Sequence, residues 1–320
     1  MLSRKHREPR LQDLFRTRNA AMRNVLETAE KILDHDASIL IFGETGSGKN
    51  YLAEAIHACG SRRGEPFVQI ECASIPAELF ESELFGHERG TFTDAHMRKV
   101  GKLEAAGRGT VYFDEIPALA PPLQAKLLRA IQERRFTRLG GIQSVRFEAR
   151  VISSATTAPA ELLASGELRR DLYYRINVVT LTIPPLRDRQ EDILDLAGAF
   201  LKRPRAEGGA RRRIRKFATD AERLMRSHMW SGNVRELKNA IARAALLEQS
   251  DEVTAPSLGI GEPNELIAAA ARGSWTLEEL ESSYIREVLR LTRSNYSKAA
   301  EILGINRKTL LEKRRKYGME

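Results

Sequence analysis

The chain has 320 residues, 42% of them hydrophobic and 30% charged, with 52 Lys and Arg against 43 Asp and Glu for a net charge of +9. That composition belongs to a globular protein with room for two or three compact units. With no apolar run of about 18 residues or more to span a bilayer and no apolar core behind the basic N-terminus to make a secretory signal, a cytoplasmic protein without membrane contact is expected.

The first two thirds of the chain alternates short apolar runs with helix-length segments. SILIF (38–42), FVQI (67–70), TVYF (110–113), RVISS (150–154) and VVTLTI (178–183) read as strands. Continuous apolar runs mark strands buried on both faces, so the expected fold is α/β with a parallel sheet. The segment RRFTRLGGIQSVRF (134–147) alternates on either side of Gly140-Gly141 and predicts an inserted hairpin. After Pro184-Pro185 the pattern turns all-helical to about residue 250. Gly, Pro, Ser and acidic residues then mark a linker, and a last helical block opens on the capping box Thr276-x-x-Glu279. The expected divisions are an α/β unit over 1–183, a helical lid over 184–250, a linker over 251–275 and a terminal helical domain over 276–320.

GETGSGKN, from Gly43 through Glu44, Thr45, Gly46, Ser47, Gly48 and Lys49 to Asn50, lies between a predicted strand and a predicted helix. Glycines at this spacing let backbone N–H groups converge on phosphate oxygens at a helix N-terminus, and Lys49 reaches the outer phosphates. The Ser or Thr that commonly follows the lysine and holds magnesium is replaced by Asn50. Downstream, TVYFDEI ends a strand in Asp114 and Glu115. The first carboxylate is expected to hold magnesium and the second to orient an attacking water, which makes ATP with Mg2+ the expected cofactor pair. The two cysteines, Cys59 and Cys72, have no partner at metal-ligand spacing and read as buried thiols.

Two basic clusters stand out. RRRIRK (211–216) falls in the lid, and RKTLLEKRRK (307–316) ends the chain. In the second, Tyr296–Leu303 reads as a short helix, Gly304 as a tight turn and Asn306 as the cap of another helix. Arg307, Lys308, Thr309 and Lys313 lie near the start of that helix, the end that enters a major groove, and Arg314 suits phosphates. Double-stranded DNA is the expected partner.

GETGSGKN, ESELFGHERGTFTDA, GTVYFDEI, GELRRDLYYRINVVTLTIPPLRDRQEDI and WSGNVREL occur in this order. Together they resemble the AAA+ domain of NtrC-type bacterial activators that depend on sigma-54, over about residues 15–250, and NYSKAAEILGINRKTLLEKRRKYG resembles their Fis-type helix-turn-helix. The resemblance implies an ATP-driven homo-oligomeric ring, commonly a hexamer, which binds DNA upstream of a promoter and remodels the sigma-54 RNA polymerase. It implies that GTFTDA is the loop touching sigma-54, with Phe92 and Thr93 at its tip. Arg169 and Arg175 align with the pair that reaches a neighbouring subunit's ATP, Arg235 with the lid sensor of nucleotide state, and Thr157 with a sensor asparagine near the γ-phosphate.

The chain departs from the family pattern at Thr91, Asp94, Glu71, Thr157 and Ser231. Glu71 is expected to face Glu115, where two carboxylates would repel or share a proton. These departures motivate an alternative, a nucleotide-binding DNA regulator with weak or no hydrolysis, acting as a repressor or in a mixed ring. A third reading is a remodeller of another transcription target. About twenty residues precede the ATPase unit, so control is expected from a separate regulatory protein, a paralogous subunit or expression level.

Overall fold

The computed structural model describes residues 10–73, 77–91, 97–202, 214, 216–248, 250–260, 275–292 and 296–318. Phe92, Thr93 and Asp94 lie outside them, as does most of the basic cluster at 211–216. Two compact units emerge, one reaching to Leu258 and one made mainly of the chain beyond it.

In the first unit, α1 (Ala20–Lys31) leads into β1 (Ile39–Phe42), α2 (Lys49–Cys59), β2 (Phe67–Glu71), α3 (Ala77–Phe85) and β3 (Thr110–Asp114). There follow α4 (Pro121–Glu133), the hairpin β4 (Arg135–Thr137) and β5 (Ser144–Arg146), then β6 (Arg150–Ala155), α5 (Arg170–Ile176) and β7 (Val179–Thr182). The main sheet has the order β2-β3-β6-β1-β7 and every pairing in it is parallel. All five apolar runs thus become strands of one sheet. Alternation sends Leu40, Val111 and Phe113 to one face and Ile39, Ile41 and Tyr112 to the other, each into its own buried cluster.

Register then fixes the working edge. Phe42 pairs with Ala155, and Glu71 with Asp114. The C-terminal ends of β1, β3 and β6 therefore finish side by side, where parallel α/β sheets place their ligands.

The hairpin is antiparallel, with Phe136 opposite Val145. It is stitched to the root of the GTFTDA loop. Glu88 N–H donates to Leu139 O at 3.0 Å, and Leu139 N–H to Gly86 O at 3.0 Å. Arg138, only 5% exposed, binds Glu104 through Nε (2.9 Å) and Nη2 (2.7 Å) and Glu88 through Nη1 (2.9 Å). The Thr91 hydroxyl lies 2.6 Å from Glu88 O and 3.1 Å from Leu139 O. A Cβ at Gly140, whose φ is +67°, would sit 2.5 Å from that hydroxyl.

The lid comprises α6 (Gln190–Lys202), α7 (Thr219–Ser227) and α8 (Asn233–Leu247), and between the last two lies the buried Trp230, whose indole N–H donates to Met225 O at 2.8 Å. The lid also extends past its expected end. Glu252–Val253 pairs with Lys216–Phe217, Ala255–Leu258 is helical, and Val253 and Leu258 are fully buried. A polar, Gly/Pro-rich composition hid those two apolar anchors.

The second unit holds α9 (Leu277–Leu291), α10 (Tyr296–Leu303) and α11 (Arg307–Lys316), closed over Ile285, Val288, Leu289, Ala299, Ala300 and Leu310. Thr276 and Glu279 make reciprocal capping bonds, Glu279 Oε2 accepting from Thr276 N at 2.7 Å. Gly304 takes φ +65° in the turn, and Asn306 Oδ1 accepts from Thr309 N at 2.8 Å. No described helix is long and apolar enough to cross a membrane.

Candidate active site

The turn from β1 into α2 needs two residues in left-handed backbone, Gly46 (φ +76°) and Gly48 (φ +111°). Gly46 is also pressed by the lid, since a Cβ there would meet Gly232 O at 2.3 Å. Gly48 has open space where its Cβ would be. The loop therefore leads into the N-terminus of α2, the positive end of its dipole, with open space beside Gly48. Lys49 Nζ donates to Gly43 O at 2.7 Å and to Glu44 O at 3.4 Å. Burial pulls its pKa down, while the charges of Glu115 and Asp114 oppose that shift. An anion at the loop would relieve the same penalty.

The acid pair follows β3. Glu115 has left-handed backbone (φ +58°), and its N–H donates to Ser154 Oγ at 3.0 Å. Its Oε1 accepts from Thr156 N at 3.0 Å and Thr156 Oγ1 at 2.7 Å. Thr156, the first residue beyond β6, thus holds Glu115, and Thr157, expected near the γ-phosphate, is the half-buried residue that follows it. Glu71 ends β2, exposed, in register with Asp114.

Asp114 is engaged at both oxygens. Oδ1 accepts from Ser154 Oγ at 2.8 Å, and Oδ2 from Asn50 Nδ2 at 2.8 Å. The Tyr112 hydroxyl lies 3.1 Å from Asp114 Oδ1 and 3.1 Å from Asn50 Oδ1. Burial raises the pKa of Tyr112, so it remains a donor. Magnesium binds through oxygens, commonly a P-loop hydroxyl and a carboxylate. Here position 50 offers an N–H already placed on the carboxylate. The expected metal role of Asp114 does not fit this donor set. Cys59 and Cys72 are buried, free thiols, and burial pushes both upward in pKa.

The lid and its approach clasp the phosphate loop. Arg187 forms a two-pronged pair with Glu44, at 2.8 Å and 2.5 Å. Asn233, fully buried, donates from Nδ2 to Glu44 Oε2 and Thr45 O, both at 3.1 Å, and its Oδ1 accepts from Leu186 N at 2.7 Å. The Arg187 and Asn233 hydrogen bonds hold the Glu44 carboxyl below its ordinary range. Arg189 Nη2 donates to Ser47 O at 2.8 Å. Arg235 N–H donates to Gly46 O at 3.3 Å, and the charge of its exposed side chain acts on Lys49.

Arg187, Arg189, Asn233, Tyr112, Ser154 and Thr156 belong to this site without having been singled out in the sequence. Arg187, Arg189 and Asn233 do sit inside the stretches PPLRDRQEDI and WSGNVREL, the one signal that marked them. Arg169 and Arg175 are both exposed on the α5 segment. Arg169 pairs with Asp171 (3.1 Å and 2.7 Å), and Arg175 Nη2 donates to Ile131 O at 3.3 Å.

In the terminal unit, Arg307 and Lys308 are exposed at the start of α11, while Thr309 is turned to its cap, Asn306. Lys313, expected to face a groove, binds Glu281 on α9 at 2.6 Å. Arg314 stacks its guanidinium 5.3 Å from the Tyr296 ring centre.

Three family models match the chain in succession. The sigma-54 interaction domain covers residues 15–182, the AAA+ ATPase lid domain 187–262, and the bacterial regulatory protein Fis family 276–317. Among relatives, the transcriptional regulatory protein FlbD of Caulobacter vibrioides is 39% identical, over 94% of this chain and 69% of its own. The alginate biosynthesis regulator AlgB of Pseudomonas aeruginosa is 42% identical, over 96% and 68%. The crystal structure of NtrX from Brucella abortus superposes with a TM-score of 0.72 at 34% identity, covering 95% of this chain and 69% of that one. A second NtrX structure, in complex with ATP, superposes at 0.69 with 33% identity.

Proposed function

The chain belongs to the sigma-54-dependent transcriptional activators with a Fis-type DNA-binding domain, and from that premise we propose that it hydrolyses ATP in a ring to remodel the sigma-54 polymerase. The observation that carries the proposal is the meeting of Lys49, Asp114 and Glu115 at one sheet edge beneath a lid bonded to the phosphate loop. ATP binding by NtrX, whose fold this chain shares, supports the nucleotide.

Phosphates would lie on the loop and the N-terminus of α2, with Lys49 drawn from the Gly43 carbonyl onto an outer phosphate. Glu115, fixed by Thr156, is the base that orients the attacking water. Arg169 and Arg175, exposed on one segment, suit reaching a neighbouring subunit's γ-phosphate, a role that supplies about 10³–10⁵ in rate. Asn233 and the Arg187–Glu44 pair would carry nucleotide state from loop to lid, with Arg235 beside them. Phe92 and Thr93 would touch sigma-54, and Arg307 and Lys308 would lead the DNA contacts.

The test is steady-state ATP turnover and open-complex formation with sigma-54 polymerase on a promoter carrying an upstream site. Glu115→Gln should lower turnover by about a hundredfold or more and abolish open complexes while ADP still binds. Turnover in the native chain no higher than in Glu115→Gln refutes the proposal.

A further inference from the structure

We infer that this site binds nucleotide with little dependence on magnesium, because the amide of Asn50 takes the place on Asp114 that a cation would need. The inference rests on the nucleotide-site reading above and concerns which groups meet the charge of the phosphates.

The orientation of Asn50 follows from donor and acceptor chemistry. An ionised carboxylate only accepts, so the amide must turn its nitrogen to Asp114 Oδ2, at 2.8 Å. Its oxygen then faces the Tyr112 hydroxyl at 3.1 Å, which is a donor. Turning the amide to offer that oxygen to a cation would give up the bond its nitrogen makes to Asp114 Oδ2 and the one its oxygen accepts from Tyr112. The other carboxylate oxygen already accepts from Ser154 Oγ at 2.8 Å and shares the Tyr112 proton. Magnesium demands near-octahedral oxygen ligands at about 2.0–2.1 Å and sheds water reluctantly. A carboxylate tied on both oxygens, beside an N–H where a hydroxyl lone pair would be, is a poor host for it.

The positive charge for phosphate comes instead from the protein. Lys49 is buried beside the loop, the charge of Arg235 acts on it, and the N-terminus of α2 opens at Gly48. These groups need no metal to be in place.

The experiment is calorimetric titration of the full chain with ADP, in excess magnesium and in EDTA, for the native protein, Asn50→Thr and Asn50→Ser. The two native dissociation constants should differ by less than about fivefold, and a hydroxyl at position 50 should widen the ratio to about tenfold or more. A native ratio of fivefold or more, or the same ratio in native and both hydroxyl variants, overturns the inference and leaves the nucleotide reading standing. No ADP binding in either buffer overturns the nucleotide reading and this inference with it.

Discussion

Replacing Asn233 separates two costs that the native residue avoids together. Its backbone has φ +54°, a region that Asn tolerates and Ala does not. Forcing Ala there costs about 1–2 kcal/mol. The side chain also satisfies the buried Leu186 N–H and the Thr45 carbonyl, and leaving such groups orphaned costs about 1–3 kcal/mol. Asn233→Ala should therefore destabilise by about 2–5 kcal/mol. Asn233→Gly escapes the backbone term but adds its own entropy cost of about 0.5–1 kcal/mol, so it should exceed Ala in stability by about 0.5–1 kcal/mol. Urea denaturation is the assay, followed by fluorescence of Trp230, which is buried in the same lid, with Trp275→Phe as background. Equal stability of the two variants refutes the backbone reasoning. A loss below about 0.5 kcal/mol in both refutes the buried-bond reasoning.

Four other outcomes are expected. Thr156→Val should lower kcat by about tenfold to a hundredfold with little change in KM, and Thr156→Ser should restore it, because a misplaced Glu115 loses its aim. Glu44 has a depressed carboxyl, so its contribution is full above the ordinary value of 4.5 and is lost as pH falls through the depressed one; Glu44→Gln should flatten that acid limb in pH-dependent unfolding. Arg138→Met should cost about 2 kcal/mol in thermal unfolding, below the range of about 3–5 kcal/mol for breaking a fully buried pair because Glu88 and Glu104 keep some solvent. Arg307→Ala and Lys308→Ala should each weaken duplex binding and reduce its salt slope by about one in anisotropy titrations, whereas Lys313→Ala should loosen the α9–α11 contact through Glu281.

The sheet was legible because strands buried on both faces are spelled as apolar runs, and the phosphate loop because glycine spacing is local. The acid pair was legible for the same reason, standing at the end of TVYF. What escaped was whatever joins distant parts of the chain. Nothing in the periodicity around position 233 says that an asparagine will turn to residue 45, and nothing around 187 points to Glu44. Nothing around Thr156 shows that it will bond Glu115, which lies 41 residues back along the chain. Lys313 looked free because its partner, Glu281, sits a helix away. The lid's last anchors, Val253 and Leu258, were two apolar residues in a polar setting, too few to show a period.

The contact between Thr91 and Gly140 bears on how this protein can change over descent. A side chain at position 140 is barred twice, by a φ of +67° and by the Thr91 hydroxyl 2.5 Å from where its Cβ would be. With threonine at 91, position 140 has no neutral neighbours in sequence space. Alanine at 91 would remove the 2.5 Å clash but keep a Cβ 3.2 Å from the added one, and the backbone bar, which asparagine meets at modest cost, would stand. The root of the GTFTDA loop and the hairpin beside it therefore constrain each other's side chains at these two positions.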